Sequence, residues 1–228
     1  MLPALNDSLF RLIPVADNKT TMYIPKSFHE TDVAKLHDFM QQHSFATLIS
    51  SGESDFIASH IPLLLDREAG QFGRLTGHLA KPNTQWQSAE GERVLIIYHG
   101  PHAYISPTWY DAQNVVPTWN YVTVHAYGVL KTIDDPGRLY EVIRATVEVY
   151  EASMPQPWSM LSPDTDFIEK LMGGIVGFDI QIDRLEGKWK LSQNHPAERR
   201  EKVIHSLMAS GDYESSQVAS LMIEIRDV

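Results

Sequence analysis

The sequence predicts a mainly β protein of the α+β class, in which an antiparallel sheet closes into a barrel and helices lie around it. At least six short segments are rich in branched and aromatic residues, as strands are. Turn-forming stretches, Ser51–Ser54 and Asp66–Phe72, separate the first three, which is typical of antiparallel neighbours. Because so many strands cannot cover both faces of a flat sheet, closure into a barrel is favoured.

The predicted strands alternate between apolar and polar positions. They span residues 45–50, 55–65, 73–79, 93–100, 119–132 and 174–185. In the fifth strand one face is aliphatic, and the opposite face is polar and aromatic. That opposite face comprises Trp119, Tyr121, Thr123, His125 and Tyr127. Such a face needs a covering layer, and a planar ligand and a second subunit are both candidates.

Helices are predicted before, between and after the strands. The first spans residues 31–43 and a short one spans 84–88. Pro136 begins a helix that continues to about Glu151, and the next, residues 164–172, ends at Gly173. Pro196 is predicted to be the first residue of a helix that ends before Gly211, and residues 214–225 form the last one. The sequence contains no repeat, low-complexity tract or flexible linker.

Composition excludes several classes of protein. The chain has 228 residues and no cysteine, which excludes disulfides, thiolate metal sites and iron–sulfur clusters. A net charge of −10 argues against a wholly basic nucleic-acid binder. No apolar run approaches the roughly 18 residues of a membrane helix, and the first residues lack the pattern of a secretion signal. We therefore expect a cytoplasmic globular protein without a membrane partner.

Lys81 is the first candidate for chemistry. It follows a strand that ends at Leu79, and Pro82 after it is expected to open a helical turn. A lysine at a helix N-terminus opposes the helix dipole, which makes sense if an anion binds there. On the preceding strand Arg74, Thr76 and His78 share a face that could extend this site. The alternative is a solvated lysine after a hairpin, and spacing alone does not exclude it.

The ten histidines suggest a metal site, but their spacing does not support one. His60, His78, His99, His102 and His125 show no tight ligand spacing on a helix, and we expect structural roles and no metal. His99 and His102 flank Gly100-Pro101, which predicts a loop. No nucleophile elbow, phosphate-binding loop or dinucleotide-binding glycine motif is present.

Seven motifs occur in an order that resembles the PaiB family, described as FMN-binding negative transcriptional regulators. The resemblance covers Met22 to about Met208. The motifs are MYIPKSF (22–28), FATL (45–48), ASHIPLLLD (58–66), GHLAKPN (77–83), GPHAYISPTWY (100–110), VPTWNYVTVHAYG (116–128) and RLEGKWKLSQN (184–194). The resemblance implies a flavin-reductase-like split β-barrel that forms a homodimer with FMN at the subunit interface. Residues 1–21 are additional to the family pattern.

The resemblance also implies which residues contact the cofactor. Those expected to hold the FMN phosphate are Ser59, His60, His78 and Lys81. The isoalloxazine would lie against the backbone near Ala58, Ile61, Leu79 and Ala80. Residues expected to complete the site, from the same chain or from the partner chain, are Trp119, Tyr121, Lys190, Ser192, Gln193 and Asn194. We expect an N-terminal extension (1–21), an FMN-binding split-barrel domain with helical additions (22–210) and a C-terminal helical segment (211–228).

Three functions remain open. The first is an FMN-binding dimer that represses transcription, directly or through another factor. The best candidate for DNA contact is the helix at Pro196, with Arg199, Arg200 and Lys202 near Lys188 and Lys190, although a solvated helix face also explains it. The second is a flavin-dependent reductase or oxidase, with His60, His78 or His125 as proton donor. The third is a sensor that binds FMN or another planar cofactor such as haem, without contacting DNA.

Overall fold

The sheet of this protein closes on itself through a single bent segment. The computed structural model describes residues 21–110 and 113–225. In this part of the chain eight strands form one antiparallel sheet in the order β3-β2-β6-β7-β8-β5-β4, with β1 added to β8. They are β1 (His29–Glu30), β2 (Phe45–Ser51), β3 (Phe56–Pro62), β4 (Leu64–Asp66), β5 (Arg74–Ala80), β6 (Arg93–Ile105), β7 (Thr118–Thr132) and β8 (Ile175–Lys190).

The two ends of this strand order are joined by one residue. Leu63 alone separates β3, which pairs with β2, from β4, which pairs with β5. The Leu63 side chain is buried and its N–H donates to the Ser44 carbonyl at 2.9 Å. The predicted meander of the first three strands is therefore present, but its middle strand divides so that each half pairs with a different neighbour. The predicted closed barrel is confirmed.

Two strands are longer than the sequence pattern predicts. The prediction of a loop between His99 and His102 is wrong, because β6 continues through Gly100-Pro101 to Ile105 with a bulge at that point. Gly100 is required there, since a Cβ would lie 2.6 Å from the Phe39 ring. β8 continues beyond Leu185 to Lys190, because the equally long β7 supplies pairing partners along its length.

Six helices surround the sheet in the described residues: α1 (Val33–Gln42), α2 (Gln85–Ala89), α3 (Pro136–Glu151), α4 (Thr165–Met172), α5 (Ala197–Ala209) and α6 (Tyr213–Glu224). Carboxylate caps begin three of them, with Asp32, Asp135 and Asp212 accepting from backbone N–H groups of the first turn. Pro196 is the N-cap of α5 and not its first helical residue as predicted. None of the described helices combines the length and apolarity needed to cross a bilayer.

The core lies inside the barrel, as the alternation in β7 and β8 predicts. Val122, Val124, Ala126 and Leu130 on β7 are at most 2% exposed. Phe178, Ile180 and Ile182 on β8 are at most 3% exposed. One side of α6 joins this core through Val218, Ala219 and Met222. The expected extension at residues 1–21 lies, apart from Thr21, outside the described residues.

Candidate functional site

One outward-pointing surface of the barrel combines histidines, hydroxyls and half-buried aliphatic side chains. A continuous row of paired residues crosses five strands: His60, Thr47, Ile97, His125 and Glu186. Neighbouring rows add residues of the same orientation. We call this surface the outer face and define it by Thr47, Ile49, His60, Leu95, Ile97, His99, Thr123, His125, Tyr127 and Glu186. It includes three members of the polar-aromatic face predicted for β7.

A threonine hydroxyl connects two histidines on the outer face. Thr47 Oγ1 lies 3.0 Å from His60 Nδ1 and 3.3 Å from His99 Nε2. A hydroxyl can donate to one ring and accept from the other, so it can transmit a proton between them. Burial lowers the pKa of His99, and His60 and His102 lower it further by charge repulsion. His99 is therefore mainly neutral near pH 7.

A second polar group lies further along the outer face. His125 Nδ1 is 3.4 Å from the Tyr127 hydroxyl, which donates to Glu186 Oε2 at 3.2 Å. Glu186 is 2% exposed and also accepts from the backbone N–H groups of Thr21 and Met22, at 2.8 and 3.0 Å. Burial lowers the pKa of His125 although the charge of Glu186 opposes this. Because its oxygens are already bonded, Glu186 is a structural carboxylate that anchors residues 21–22 to the barrel.

The edge of β3 lies beside the turn that follows β5. Within the described sheet β3 pairs only with β2, so its other edge presents backbone N–H and C=O groups. Asn83 Nδ2 donates to Ser59 Oγ at 2.9 Å, and Gln85 Nε2 donates to the Ile57 carbonyl at 3.1 Å. These two contacts attach the turn to the first half of β3. Ala58 and His60 on this strand are exposed residues.

The structure corrects the local setting of Lys81. Its backbone N–H donates to the Gly174 carbonyl at 2.8 Å, and that of Asn83 donates to the Ala80 carbonyl at 2.8 Å. The following helix, α2, begins only at Gln85 and has five residues. The prediction that Lys81 stands at a helix N-terminus with free N–H groups is therefore wrong. What the turn offers an anion is the exposed Lys81 side chain, two residues from the Asn83–Ser59 hydrogen bond.

The other residues predicted around β3 and β5 are only partly brought together. The side chains of Ile61 and Leu79 are buried in the core, while Ala58 and Ala80 are exposed. Ile61 and Leu79 could therefore contact a bound cofactor only through their backbone. His78 lies opposite Gly177 on β8, and Leu139 of α3 packs against that glycine. Burial lowers the pKa of His78. In the described residues no hydrogen bond or ring contact joins His78 to Ser59, His60 or Lys81.

The residues predicted at the end of β7 and β8 form a separate group. Trp119 is 52% exposed and its ring lies 5.8 Å from Tyr104 and 6.0 Å from His102. Tyr121 pairs with Lys190, whose ammonium donates to Thr118 Oγ1 at 2.6 Å and to the Trp119 carbonyl. Trp119 and Tyr121 point to the same side of β7 as the outer face but lie nearer the start of the strand. One chain therefore presents two sets of predicted cofactor residues, one around β3 and β5 and one at the start of β7.

Ser192 and Gln193 hold the chain in place after β8. Ser192 has a φ of 65° and exchanges two hydrogen bonds with the buried Asn120 amide, at 3.0 and 3.1 Å. Gln193 Nε2 donates to the Trp189 carbonyl at 2.6 Å, and its Oε1 accepts from the Leu191 N–H at 2.8 Å. These side chains are therefore committed to shaping the bend. Lys190 and Asn194 line a cavity, to which Ser192 also contributes.

Sequence reasoning missed Thr47, Asn83 and His99 as site residues. Two signals could have identified the first two. Thr47 lies in the FATL motif at an outward position of the strand alternation, and Asn83 closes the GHLAKPN motif. His99 was placed at the end of the fourth predicted strand, but its neighbours in the sheet depend on strand register, which the sequence pattern does not give. Among the described residues no group of three or more His, Asp or Glu side chains is arranged to hold a metal ion.

Comparisons with known proteins agree on the family. Residues 22–184 match the family model "Putative FMN-binding domain". The protease synthase and sporulation protein PAI 2 from Bacillus subtilis (strain 168) is 38% identical over 204 residues, which are 88% of this chain and 96% of the relative.

Two solved structures resemble the fold. The flavocytochrome Anf3 from Azotobacter vinelandii matches with a TM-score of 0.56 and 15% identity over 71% of this chain and 69% of that one. The FAD and heme binding protein from Mycobacterium smegmatis matches with a TM-score of 0.51 and 13% identity, over 81% and 80%. At these identities the likeness concerns the fold, and it agrees with the predicted flavin-type split barrel. The family match confirms FMN as the cofactor. The chain is therefore a member of the PaiB family of FMN-binding proteins.

Proposed function

We propose that the chain binds FMN on the outer face, between two copies of itself, and that this flavoprotein has a regulatory role of the PaiB type. The observation that carries the proposal is the outer face, seven of whose ten residues are at least partly exposed, beside the exposed edge of β3. Half-buried aliphatic side chains, Ile49, Leu95 and Ile97, lie among its polar groups. A face of this composition suits a flat ring that is apolar on its faces and polar along its edge.

The residues around β3 fit the parts of FMN. The pyrimidine edge of the flavin has donors and acceptors that match the unpaired backbone groups of β3 near Ala58 and His60. The exposed ammonium of Lys81 suits the phosphate, and the Ser59–Asn83 pair supplies a hydroxyl and an amide nearby. When bound, FMN supplies reversible one- or two-electron transfer. Lys81 would neutralise the phosphate, and the β3 edge would orient the ring.

A second copy would complete the site. Trp119 and Tyr121 lie near the start of β7, away from the row of paired residues that contains His60 on β3. A two-fold dimer brings each set of one protomer against the other set of its partner. The exposed Trp119 and Tyr104 side chains would then be buried against the second protomer, as aromatic residues commonly are at interfaces. Formation of the complete FMN site would therefore depend on dimerisation.

A regulatory role is supported by the name of the Bacillus subtilis relative. Direct contact with DNA is the part of that role with the least support. The name of the Bacillus subtilis relative refers to protease synthesis and sporulation. In α5 the guanidinium of Arg199 lies over the Tyr110 ring at 5.1 Å, and Lys202 pairs with Glu198 at 3.2 Å. Because two of its basic side chains already have partners and the whole chain has a net charge of −10, α5 is a poor DNA-binding surface. Regulation through another protein or a small molecule therefore fits better than repression by direct DNA contact.

Three measurements on the purified full-length chain test this proposal. A flavin-type visible spectrum with one FMN per chain, and a dimer mass by light scattering, are expected. A haem-type spectrum would favour the alternative cofactor. Colourless protein that takes up no added FMN, or a monomer that binds FMN fully, would contradict the proposed site. In a gel-shift titration across salt concentrations we expect no tight complex with genomic fragments; salt-dependent binding would show that DNA contact is direct.

A flavin-dependent oxidoreductase is the second candidate. The His60–Thr47–His99 group on the outer face favours it, because a protonated histidine can pass its proton through the Thr47 hydroxyl toward a reduced substrate. The lowered pKa of His99 makes its protonated form a stronger acid. Rapid anaerobic bleaching of the bound flavin by NADH or NADPH would support this function. Flavin that both donors leave oxidised would count against it, while leaving the regulatory proposal standing.

A further inference from the structure

A cavity of about 290 Å³ lies where the end of β8, the start of α5 and the segment before β7 meet. We call it the basic pocket. The lining residues include Tyr110, Thr118, Lys190, Ser192, His195 and Arg199. Three of these carry basic side chains and the described lining contains no carboxylate. The volume is at the small end of the roughly 300–1,000 Å³ range of ligand sites.

Within the described residues the three basic side chains form no ion pair with a carboxylate. Among the described residues no carboxylate lies within ion-pair distance of Lys190, His195 or Arg199, although such pairs are formed elsewhere on the surface. Burial lowers the pKa of His195, and the charges of Arg199 and Lys190 lower it further. Burial also lowers the pKa of Lys190, with a contribution from Lys188. These like charges repel one another, which an anion in the pocket would relieve.

The hydrogen-bonding groups of the pocket are mainly donors. Arg199 Nη1 lies 3.3 Å from His195 Nδ1, and because arginine can only donate, His195 accepts there and has its proton on Nε2. Lys190 uses its ammonium on Thr118 Oγ1 and the Trp119 carbonyl, and an ammonium has three protons. The Tyr110 hydroxyl is buried, and no other described residue forms a hydrogen bond with it. Such a set of groups suits a ligand that accepts hydrogen bonds.

The pocket is formed before any ligand binds. The Asn120–Ser192 exchange of hydrogen bonds, with Ser192 in its left-handed conformation, fixes the bend between Lys190 and His195. The Arg199 guanidinium is held over the Tyr110 ring at 5.1 Å. Because these side chains are already ordered, little conformational entropy would be lost on binding.

We infer that the basic pocket binds the carboxylate or phosphate group of a small molecule, at a site separate from the phosphate of FMN. The anion would accept hydrogen bonds from Arg199, Lys190 and His195 Nε2. The Lys81 turn follows β5, whereas the basic pocket is built at the end of β8 and the start of α5. The inference does not depend on FMN binding, but such an anion could be the substrate or effector of the flavoprotein.

The test uses the full-length, FMN-loaded protein and isothermal titration with two probes, inorganic phosphate and succinate. Binding of one or both is expected, and the stronger probe identifies the kind of anion. Arg199→Gln should weaken binding roughly tenfold or more, as expected for loss of a charge-assisted hydrogen bond. Lys202→Gln removes a charge from the same helix outside the pocket and should leave the affinity unchanged. His195→Ala provides a second lining variant if Arg199→Gln folds poorly.

Two results would overturn the inference. The first is that neither probe binds, or that both bind the lining variants as well as the unaltered protein. The second is that Arg199→Gln loses FMN together with the anion, measured as release of flavin fluorescence, since the pocket would then belong to the flavin site. Retention of FMN with loss of phosphate or succinate binding is the outcome that supports a separate anion site.

Discussion

Asn83 donates a hydrogen bond from its amide to the hydroxyl of Ser59 at 2.9 Å, and so joins the turn after β5 to the exposed edge of β3. The same Asn83 side chain accepts from the backbone N–H of Gln85 at 3.0 Å, at the start of α2. The turn after β5 and the edge of β3, which are proposed to contact different parts of FMN, are thus held at a fixed distance from each other. The phosphate contact and the ring contact are coupled through this pair.

A double-mutant cycle on Asn83→Ala and Ser59→Ala tests this coupling. Each single change should weaken FMN binding, and the double variant should lose less than the sum, because both remove the same hydrogen bond. A coupling of about 1 kcal/mol is expected. Quenching of FMN fluorescence on binding gives the affinities. Strictly additive losses, or no loss in either single variant, would show that the pair does not position the site.

Lys81→Ala should weaken FMN binding roughly tenfold or more, because it removes the cation proposed to face the phosphate. Lys81 is exposed, so the urea unfolding midpoint should change little. Lys131→Ala, which removes an exposed lysine from β7, is the matched control and should retain full affinity. If both variants bind FMN equally well, Lys81 is not part of the site.

Ile97→Lys should dissociate the proposed dimer and lower its FMN content. Ile97 lies between Thr47 and His125 in the row that crosses the outer face, and it is half-buried in one chain. A lysine there leaves the folded protomer intact but places a charge in the interface, which costs binding energy. Light scattering reports the mass, with Val149→Lys at an exposed position of α3 as control. An unchanged dimer would exclude the outer face as the interface.

Stability should fall on acidification from about pH 7.5 to about pH 5.5. Burial lowers the pKa of His78, His99, His125 and His195 in the folded protein. The unfolded chain, with histidine pKa values of about 6.5, then binds more protons. The stability that these histidines contribute is fully present above about pH 6.5 and is lost as the pH falls through their folded-state pKa values. Urea unfolding midpoints at both pH values measure it, and a midpoint that rises toward pH 5.5 would contradict it.

Gly128→Ala should destabilise the barrel by about 3 kcal/mol or more, as severe overpacking does. Gly128 lies at the irregularity in the pairing of β7 with β8, and a Cβ there would be 2.2 Å from the carbonyl oxygen of Gln181. Gly173→Ala is the control, because its Cβ would make only ordinary contacts of 3.5 Å or more. Urea unfolding of both variants distinguishes them. Equal stability would mean that the backbone relaxes at Gly128.

The local sequence pattern predicted the structure well where a single physical preference, such as strand alternation, dominates. Alternation along β7 identified its buried residues, and prolines and glycines located the later helices to within a few residues. It failed where a distant partner decides the local structure. Gly100-Pro101 has turn composition, yet pairing with β7 carries β6 through it as a bulge. At Lys81 the Pro82 signal suggested a helix start, but the Gly174 carbonyl takes the backbone N–H instead.

The sequence by itself determined the strands, most of the helices, the polar-aromatic face of β7 and, through its ordered motifs, the family and FMN. These depend on neighbours in sequence, which alternation and motif order report. The tertiary structure decided the split of the β3–β4 segment at Leu63, the Thr47–His60–His99 group and the position of His78 opposite Gly177 on β8. It also gathered Lys190, His195 and Arg199 around one cavity. Strand register and helix docking bring such residues together, and both depend on contacts between distant segments, which local sequence patterns do not contain.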